Sequence, residues 1–451
     1  MRRAVDYALA NNISVKQADL QVRFSELNLK QSKLNQWPDA NFSGNTGYSA
    51  GRNQDPTNFT LITTSYWFSS YQLRAGLDLF NWFSKKNTIS SNSLDFQASQ
   101  AQVDKVKNDI ALNVAVAYLQ ILLAKEQVGL AKLQVAQTES VLESTRKQVD
   151  VGKLPELNAA QIESQLATDS SNLISAEATV QQLILQLKAL LNLDAAIPFD
   201  VETPPVASIP VESLSDLQPE AVYASAIANL PQQKVNELQL QAAKKAVEAS
   251  HGAMFPTLSL FASLGTDYTN RGQRLNSTTK DSSAFGVVTV NGLTYGVFPV
   301  SPFEIKNFGN STYFYQLNQN LSRSFGLSLS VPIANGGSLR SAWNRSKLTV
   351  RQWELTKEQD NQTLKQDIYK AYNDALTAIE KFNASKKSVQ TATRALSFSQ
   401  KRYDLDLLSV YDLINSRNTL LRASIDMLYN QYDYVFKIKL LEFYKGQGLK
   451  L

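Results

Sequence analysis

The sequence has no cysteine and a single histidine, His251. Without thiols there can be no disulfides and no thiolate metal sites, which suits an envelope protein as well as many others. One imidazole cannot furnish a Ser/His/Asp triad or a histidine-based metal cluster within one chain. His251 therefore reads as a surface or interface residue at the end of a helix. Neither G-x-x-x-x-G-K-[ST] nor G-x-G-x-x-G occurs, so nucleotide hydrolysis by those designs is excluded and no cofactor is expected. No segment reaches the ~18 consecutive apolar residues of a transmembrane helix; the best run, Ile110 to Ala124, is interrupted by Asn113 and Gln120. The chain starts inside an amphipathic pattern, Arg2-Arg3-Ala4-Val5-Asp6-Tyr7, with no apolar signal region, so a signal peptide or lipid anchor would have been removed. The net charge is +5, but the basic residues are scattered and form no stripe. That is a solvated surface and not a nucleic-acid footprint.

The largest absence is local. From Ser338 to Lys445 there is no glycine and no proline, where average usage would place about a dozen. Such a stretch is a very long helix that turns back once. Within it Phe382, Ser385, Val389, Ala392, Leu396, Ser399 and Tyr403 alternate steps of three and four residues, the seam of a helix packed lengthwise on partners. Subtracting 254 from each number gives Val128, Ala131, Val135, Thr138, Leu142, Thr145 and Val149, with the same spacing and similar sizes. Tyr118 and Tyr372 match at the same offset. The chain is an internal duplication.

In the first repeat, residues 1–193, helices are expected at 4–36, 84–149 and 156–193. In the second, 220–451, they are expected at 222–254, 338–403 and 410–445. The opening helices match at an offset of 218, Pro38 with Pro256, and each ends in an aromatic followed by proline. The first of them should be stepped near Asn11-Asn12. Residues 194–219 carry Pro198, Pro204, Pro205, Pro210 and Pro219 and read as a draped linker.

After each aromatic-proline stop the period changes to two. Strands are expected at 41–48, 71–80, 257–266 and 324–332, each with one apolar and one polar face; the alternation is broken once, by Phe261. Their length and pattern suit transmembrane β-barrel strands, and equally a half-buried sandwich strand. Four strands beside enormous helices have no second sheet to pack on, which favours the barrel. The loops 49–70 and 267–323 would be extracellular. The second connection is longer because its offset grows from 218 to 254, and it holds a hairpin signal, Val287 to Val290, Asn291-Gly292, Leu293 to Tyr295. Tyr66, Trp67, Phe68, Tyr313, Phe314 and Tyr315 would mark the outer interface and Phe80, Trp82 and Phe83 the inner one; each fits ordinary packing as well. Four strands cannot close a barrel, and open edges are not tolerated in lipid, so the chain must oligomerise. The sequence does not choose between two copies and three.

The duplicated helix-strand-strand-helix-helix order, Leu329-Ser330-Val331-Pro332 leading into Asn335-Gly336-Gly337, and Tyr411-Asp412-Leu413-Ile414-Asn415 after a helical turn resemble the TolC-like outer-membrane efflux protein family. The resemblance covers the chain from Ala4 to Gly448. It implies a mainly α fold with a transmembrane β-barrel: a homotrimer with one twelve-stranded barrel in outer-membrane lipid, a long periplasmic α-helical coiled-coil barrel, and an equatorial belt to which the linker contributes. It further implies a passive exit duct, docked by a periplasmic adaptor protein to an inner-membrane transporter of RND, ABC or MFS type, with no nucleic-acid partner.

The same resemblance places a periplasmic entrance gate at Tyr403, Asp412, Asn415 and Asn158, and adaptor contacts at Val151, Gly152, Leu405 and Asp406. Asp412 stands at the first of the family's ring carboxylates and Asn415 at the second; Asn158 stands where the first half often has aspartate, and Leu408 at a position that is usually basic. Closure is therefore expected to rest on packing and neutral hydrogen bonds. For Asp412 two readings stay open: a carboxylate repeated around a narrow axis, which attracts cations, or a residue that completes a helix N-terminus with Ser409. A soluble coiled-coil scaffold remains the alternative function; it would explain the helices but not the strands.

Overall fold

A computed structural model describes residues 1–54, 59–203, 209, 211–405 and 407–446. The chain divides into two compact units that cut across the repeats: Met1–Leu29, Ser90–Val247 and Arg345–Leu451 form one, Lys30–Ile89 and Glu248–Asn344 the other.

The first unit is helical. Helix α1 spans Arg2–Asn11 and α2 Ile13–Leu34, with Asn12 between them. The Asn12 side chain accepts from Ser14 N (2.8 Å), capping α2, and donates to the Leu190 carbonyl (2.8 Å). The two long helices, α3 (Ser84–Asp150) and α8 (Ser338–Asp404), have 67 residues each, ~100 Å of helix. They return as α4 (Glu156–Leu191) and α9 (Val410–Tyr444). The expected helix at 222–254 is two: α5 (Pro219–Asn229) and α6 (Pro231–Gly252). Pro231 has no N–H for an intrahelical bond, so the helix restarts at Leu230, as it does at Asn12 in the first repeat.

Two apolar clusters show the duplication in space. In the first, Val5 and Ala8 pack with Ile110, Val114, Ala117 and Ile121 of α3, with Leu187 and Leu191 of α4 and with Tyr432 of α9. Adding 254 to those α3 positions gives Leu364, Ile368, Ala371 and Ala375, which pack with Val222, Ala226, Ile438 and Leu441 in the second. Each fully buried Leu or Ile contributes about 2 kcal/mol. Contrary to the run-length expectation, α3 does contain an 18-residue window of mean hydropathy 1.3, apolar and long enough to cross a membrane by composition. Much of its apolar character is accounted for by the first cluster, into which Ile110 to Ala124 project.

The linker is fastened from both sides. Tyr118 OH donates to the Glu202 carbonyl (2.7 Å), and Gln218 Nε2 donates to Tyr372 OH (3.1 Å), so both duplicated tyrosines hold the linker, one within it and one near its end. Buried Lys188 donates to the carbonyls of Ala195 and Ile197, Lys125 pairs with Asp200, and Lys445 pairs with Glu212. Pro204, Pro205 and Pro210 lie outside the described residues.

The second unit is built on an antiparallel sheet in the order β1-β2-β3-β8: Asp39–Gln54, Leu61–Phe80, Thr257–Thr269 and Ser322–Ser330. The register lines up Ala40, Ala75, Ala262 and Phe325, then Leu77, Leu260 and Leu327, on one face. Asn41, Arg74, Ser263 and Ser324 line up on the other. Phe42, Leu73, Phe325, Leu327 and Leu329 are exposed, so the apolar face is left uncovered by the described residues. Phe261, the break in the alternation, lies between Gly76 and Gly326 on the polar face, and a Cβ on Gly326 would come within 3.0 Å of its ring. β1 and β2 are longer than the alternation indicated, because Ser49 to Gln54 pair with Leu61 to Tyr66 through the backbone, which needs no apolar pattern.

Residues 267–323 are not a plain loop. They hold strands β4 (Gln273–Asp281), β5 (Gly286–Val290), β6 (Leu293–Val297) and β7 (Phe303–Asn310), and helix α7 (Tyr313–Gln319). β4 pairs with β7 and β5 with β6. Between β2 and α3 the chain turns through Trp82 and Phe83, both at positive φ (50° and 61°). Gly252 packs against this turn so closely that a Cβ would lie 2.6 Å from the Trp82 carbonyl. His251 is exposed, with its ring against Phe255 and Trp343.

Candidate functional site

Two helical turns in the first unit face a common cleft. After α3, Gly152 takes φ +73°, with Lys153 N bonded back to the Gln148 carbonyl (2.8 Å) and Gly152 N to that of Val149 (2.8 Å). This is the left-handed glycine stop of a long helix; Pro155, extended, then opens α4. After α8, Leu407 N reaches the Arg402 carbonyl (2.8 Å), and Ser409 caps α9. Its Oγ accepts from Asp412 N (3.1 Å) and donates to Asp412 Oδ2 (2.6 Å). The helix-completing role of Asp412 is thus present in the geometry, and its side chain is exposed.

The cleft, of about 490 Å³, is lined by Gln148, Asn158, Tyr403, Leu408, Ser409 and Tyr411, among others. Two of the expected gate residues, Asn158 and Tyr403, therefore come together, and Leu408 joins them. Asp412 and Asn415 lie further along α9; Asn415 is exposed, and its carbonyl accepts from Thr419 Oγ1 (2.8 Å). Tyr403 OH lies 3.4 Å from Thr145 Oγ1, a fully buried seam hydroxyl. Beneath them Leu142, Ile162 and Val410 form a small apolar cluster. Ser399 and Ser416 share a hydrogen bond (2.9 Å), and Arg146 pairs with Glu163 between α3 and α4. Of the expected adaptor contacts, Val151 and Leu405 are 78% and 68% exposed. A side chain at Gly152 would meet nothing within 4 Å. Asp406 lies outside the described residues.

Two charged groups behind the cleft were not anticipated. Arg417 of α9 donates to the Gln137 carbonyl (3.3 Å) and to Gln400 Oε1 (3.1 Å), tying α9 to both long helices. Burial pulls its pKa below the usual arginine value, with the Tyr403 phenol pulling the other way. Asp169 of α4, 3% exposed, accepts from Thr138 Oγ1 (2.8 Å), Gln165 Nε2 (2.7 Å) and Gln134 Nε2 (3.4 Å). Asn418 of α9 joins through Gln165 (3.3 Å). The signal for Asp169 was available, since Ala159, Ile162, Leu166, Asp169 and Leu173 step by three and four and place an acid on the seam.

A family model described as "Outer membrane efflux protein" matches residues 4–193 and 222–437. The chain belongs to the outer membrane efflux protein family. It is similar to Toxin and drug export protein A of Aggregatibacter actinomycetemcomitans, at 22% identity over 96% of this chain and 83% of the relative. Outer membrane protein TolC of Escherichia coli K12 is 21% identical over 93% and 76% of the two chains. The fold is shared with the solved Campylobacter jejuni CmeC outer membrane channel, with a TM-score of 0.76, 17% identity and coverage of 99% and 86%. Members of this family are efflux channels, and this member is an outer-membrane protein.

Proposed function

We propose that this family member is the outer-membrane exit duct of a tripartite efflux or type I secretion system, a passive homotrimer without enzymatic activity. Three chains would close a twelve-stranded barrel in outer-membrane lipid, and their long helices would line a periplasmic passage. A periplasmic adaptor protein and an inner-membrane transporter that supplies the energy are the implied partners. The reading is carried by one observation: a four-stranded sheet with an uncovered apolar face whose order ends in the edges β1 and β8. Such a sheet cannot be finished in lipid by one chain. The two repeats and the linker between them are the units from which we build this architecture.

In this reading the cleft of Tyr403 and Asn158 is the periplasmic entrance gate, with Asp412 and Asn415 nearer the axis, and closure combines packing, neutral hydrogen bonds and the tie through Arg417. Val151, Gly152 and Leu405 form the adaptor-docking tips. The deciding measurement is the mass of the detergent-extracted particle, corrected for bound detergent, together with conductance after reconstitution. We expect three chains and an ion-conducting channel. A monomer soluble without detergent would overturn the duct and return the chain to a coiled-coil scaffold.

A further inference from the structure

The connection from β3 to β8 carries an arm that the four-stranded sheet does not require. β4 and β7 form its base, and the β5–β6 hairpin is nested between them, closed by Asn291 and Gly292 at φ 55° and 83°. From Ser282 to Pro302 no residue is charged, although Lys280, Asp281 and Glu304 flank that stretch. Opposed residues of an antiparallel ribbon share a face. Val288 with Tyr295 and Val290 with Leu293 therefore form one face, wholly apolar, while Val287 with Gly296 and Thr289 with Thr294 form the other. Val288, Val290, Leu293 and Tyr295 are between 47% and 63% exposed. A two-stranded hairpin is marginal in water by itself, so a bare apolar face calls for a cover.

We propose that the cover is a second copy of this chain, the β5–β6 hairpins of neighbouring protomers meeting at the outer mouth and narrowing it. The inference rests on the trimeric reading above. Three features favour a copy over another occupant. The arm leads into β8, an edge of the sheet, and an edge in lipid must be met by the next chain, so the hairpins are held at one rim at high effective concentration. Residues that meet copies of themselves around an axis repel if charged, and the tip carries no charge while its base does. The reach also suffices. β4 has 9 residues, ~30 Å of strand, against a radius of ~12 Å for a barrel of twelve strands at ~4.8 Å spacing and ~40° tilt.

Because the sequence has no cysteine, single substitutions report cleanly. Val290→Cys and Leu293→Cys are introduced separately and oxidised in outer-membrane vesicles, with Thr289→Cys, exposed on the opposite face, as the control. The inference expects a covalent dimer on non-reducing gels at positions 290 and 293, severalfold stronger than at 289. Light scattering of each reduced variant gives the particle mass. A three-chain particle with no such dimer, or with equal dimer at 289, overturns the inference and leaves the trimer standing. Labelling of the Val290→Cys variant by a lipid-soluble maleimide without cross-linking assigns the face to lipid and overturns it likewise. A one-chain particle overturns both.

Discussion

Asp169 is a carboxylate sealed among helices, held by one hydroxyl and two amides and by no cation among the contacts described. Its removal leaves those donors buried and unpaired, so Asp169→Ala should destabilise the helical unit by about 3 kcal/mol, whereas Asp169→Asn, which keeps an acceptor, should cost less. Circular dichroism melts of the three proteins test this order, and an Ala variant that melts with the parent would mean that the layer carries no stability. Tyr432 sets an alkaline limit. Burial, with a smaller push from the Glu126 charge, raises its phenol from 10 to about 12. A raised native pKa adds stability in full below pH 10, and that contribution is lost as pH rises through 12. Between those limits the parent should lose on the order of 2 kcal/mol more than Tyr432→Phe, which cannot ionise; parallel losses in both would refute it. For Asp412, the Asn variant retains the bond from Ser409 while removing the charge. Reduced cation selectivity of the reconstituted channel in Asp412→Asn would assign it to the axis, and unchanged selectivity would leave it the capping role alone.

At the scale of elements, the tips are where a small change should separate assembly from docking. Gly152 sits at φ +73° with open space around its Cβ position. Gly152→Val thus incurs the left-handed penalty of about 1–2 kcal/mol at an exposed turn but no clash. We expect trimers of normal mass and weakened capture of the adaptor by pull-down; undiminished capture would move the docking surface elsewhere. Much at this scale was legible in the sequence. The seam of three-and-four steps marked Thr138, Thr145, Ser385 and Ala392, all buried. Asn291-Gly292 announced its turn, and Ser409 with Asp412 announced the start of α9. What stayed hidden depends on partners distant in sequence. Arg417 meets Gln137 and Gln400, and Phe261 looks misplaced until Gly76 and Gly326 are set beside it. The β4–β7 ribbon, Gln273 to Asp281 against Phe303 to Asn310, has no clean alternation because neither of its faces is buried. The break at Pro231, by contrast, is local: the proline marks it, yet the expected helix runs unbroken from 222 to 254.

For the molecule as a whole, duplication explains why one chain carries two cores of the same design and two tyrosines that both hold one linker. The apolar strands, the seam and the linker are each ordinary alone; only their ordered repetition singles out this architecture. The unfinished sheet has a genetic corollary. If both edges wait for another chain, membrane insertion and assembly are a single event, and a protomer with a damaged edge can still enter a ring through its sound one. In the proposed trimer, an intact chain co-expressed in equal amounts with such a variant would find itself in a fully sound ring only about one time in four, and only about one ring in eight would be free of damage. A lesion in β1 or β8 would therefore behave as dominant, while a chain that never folds would be silent.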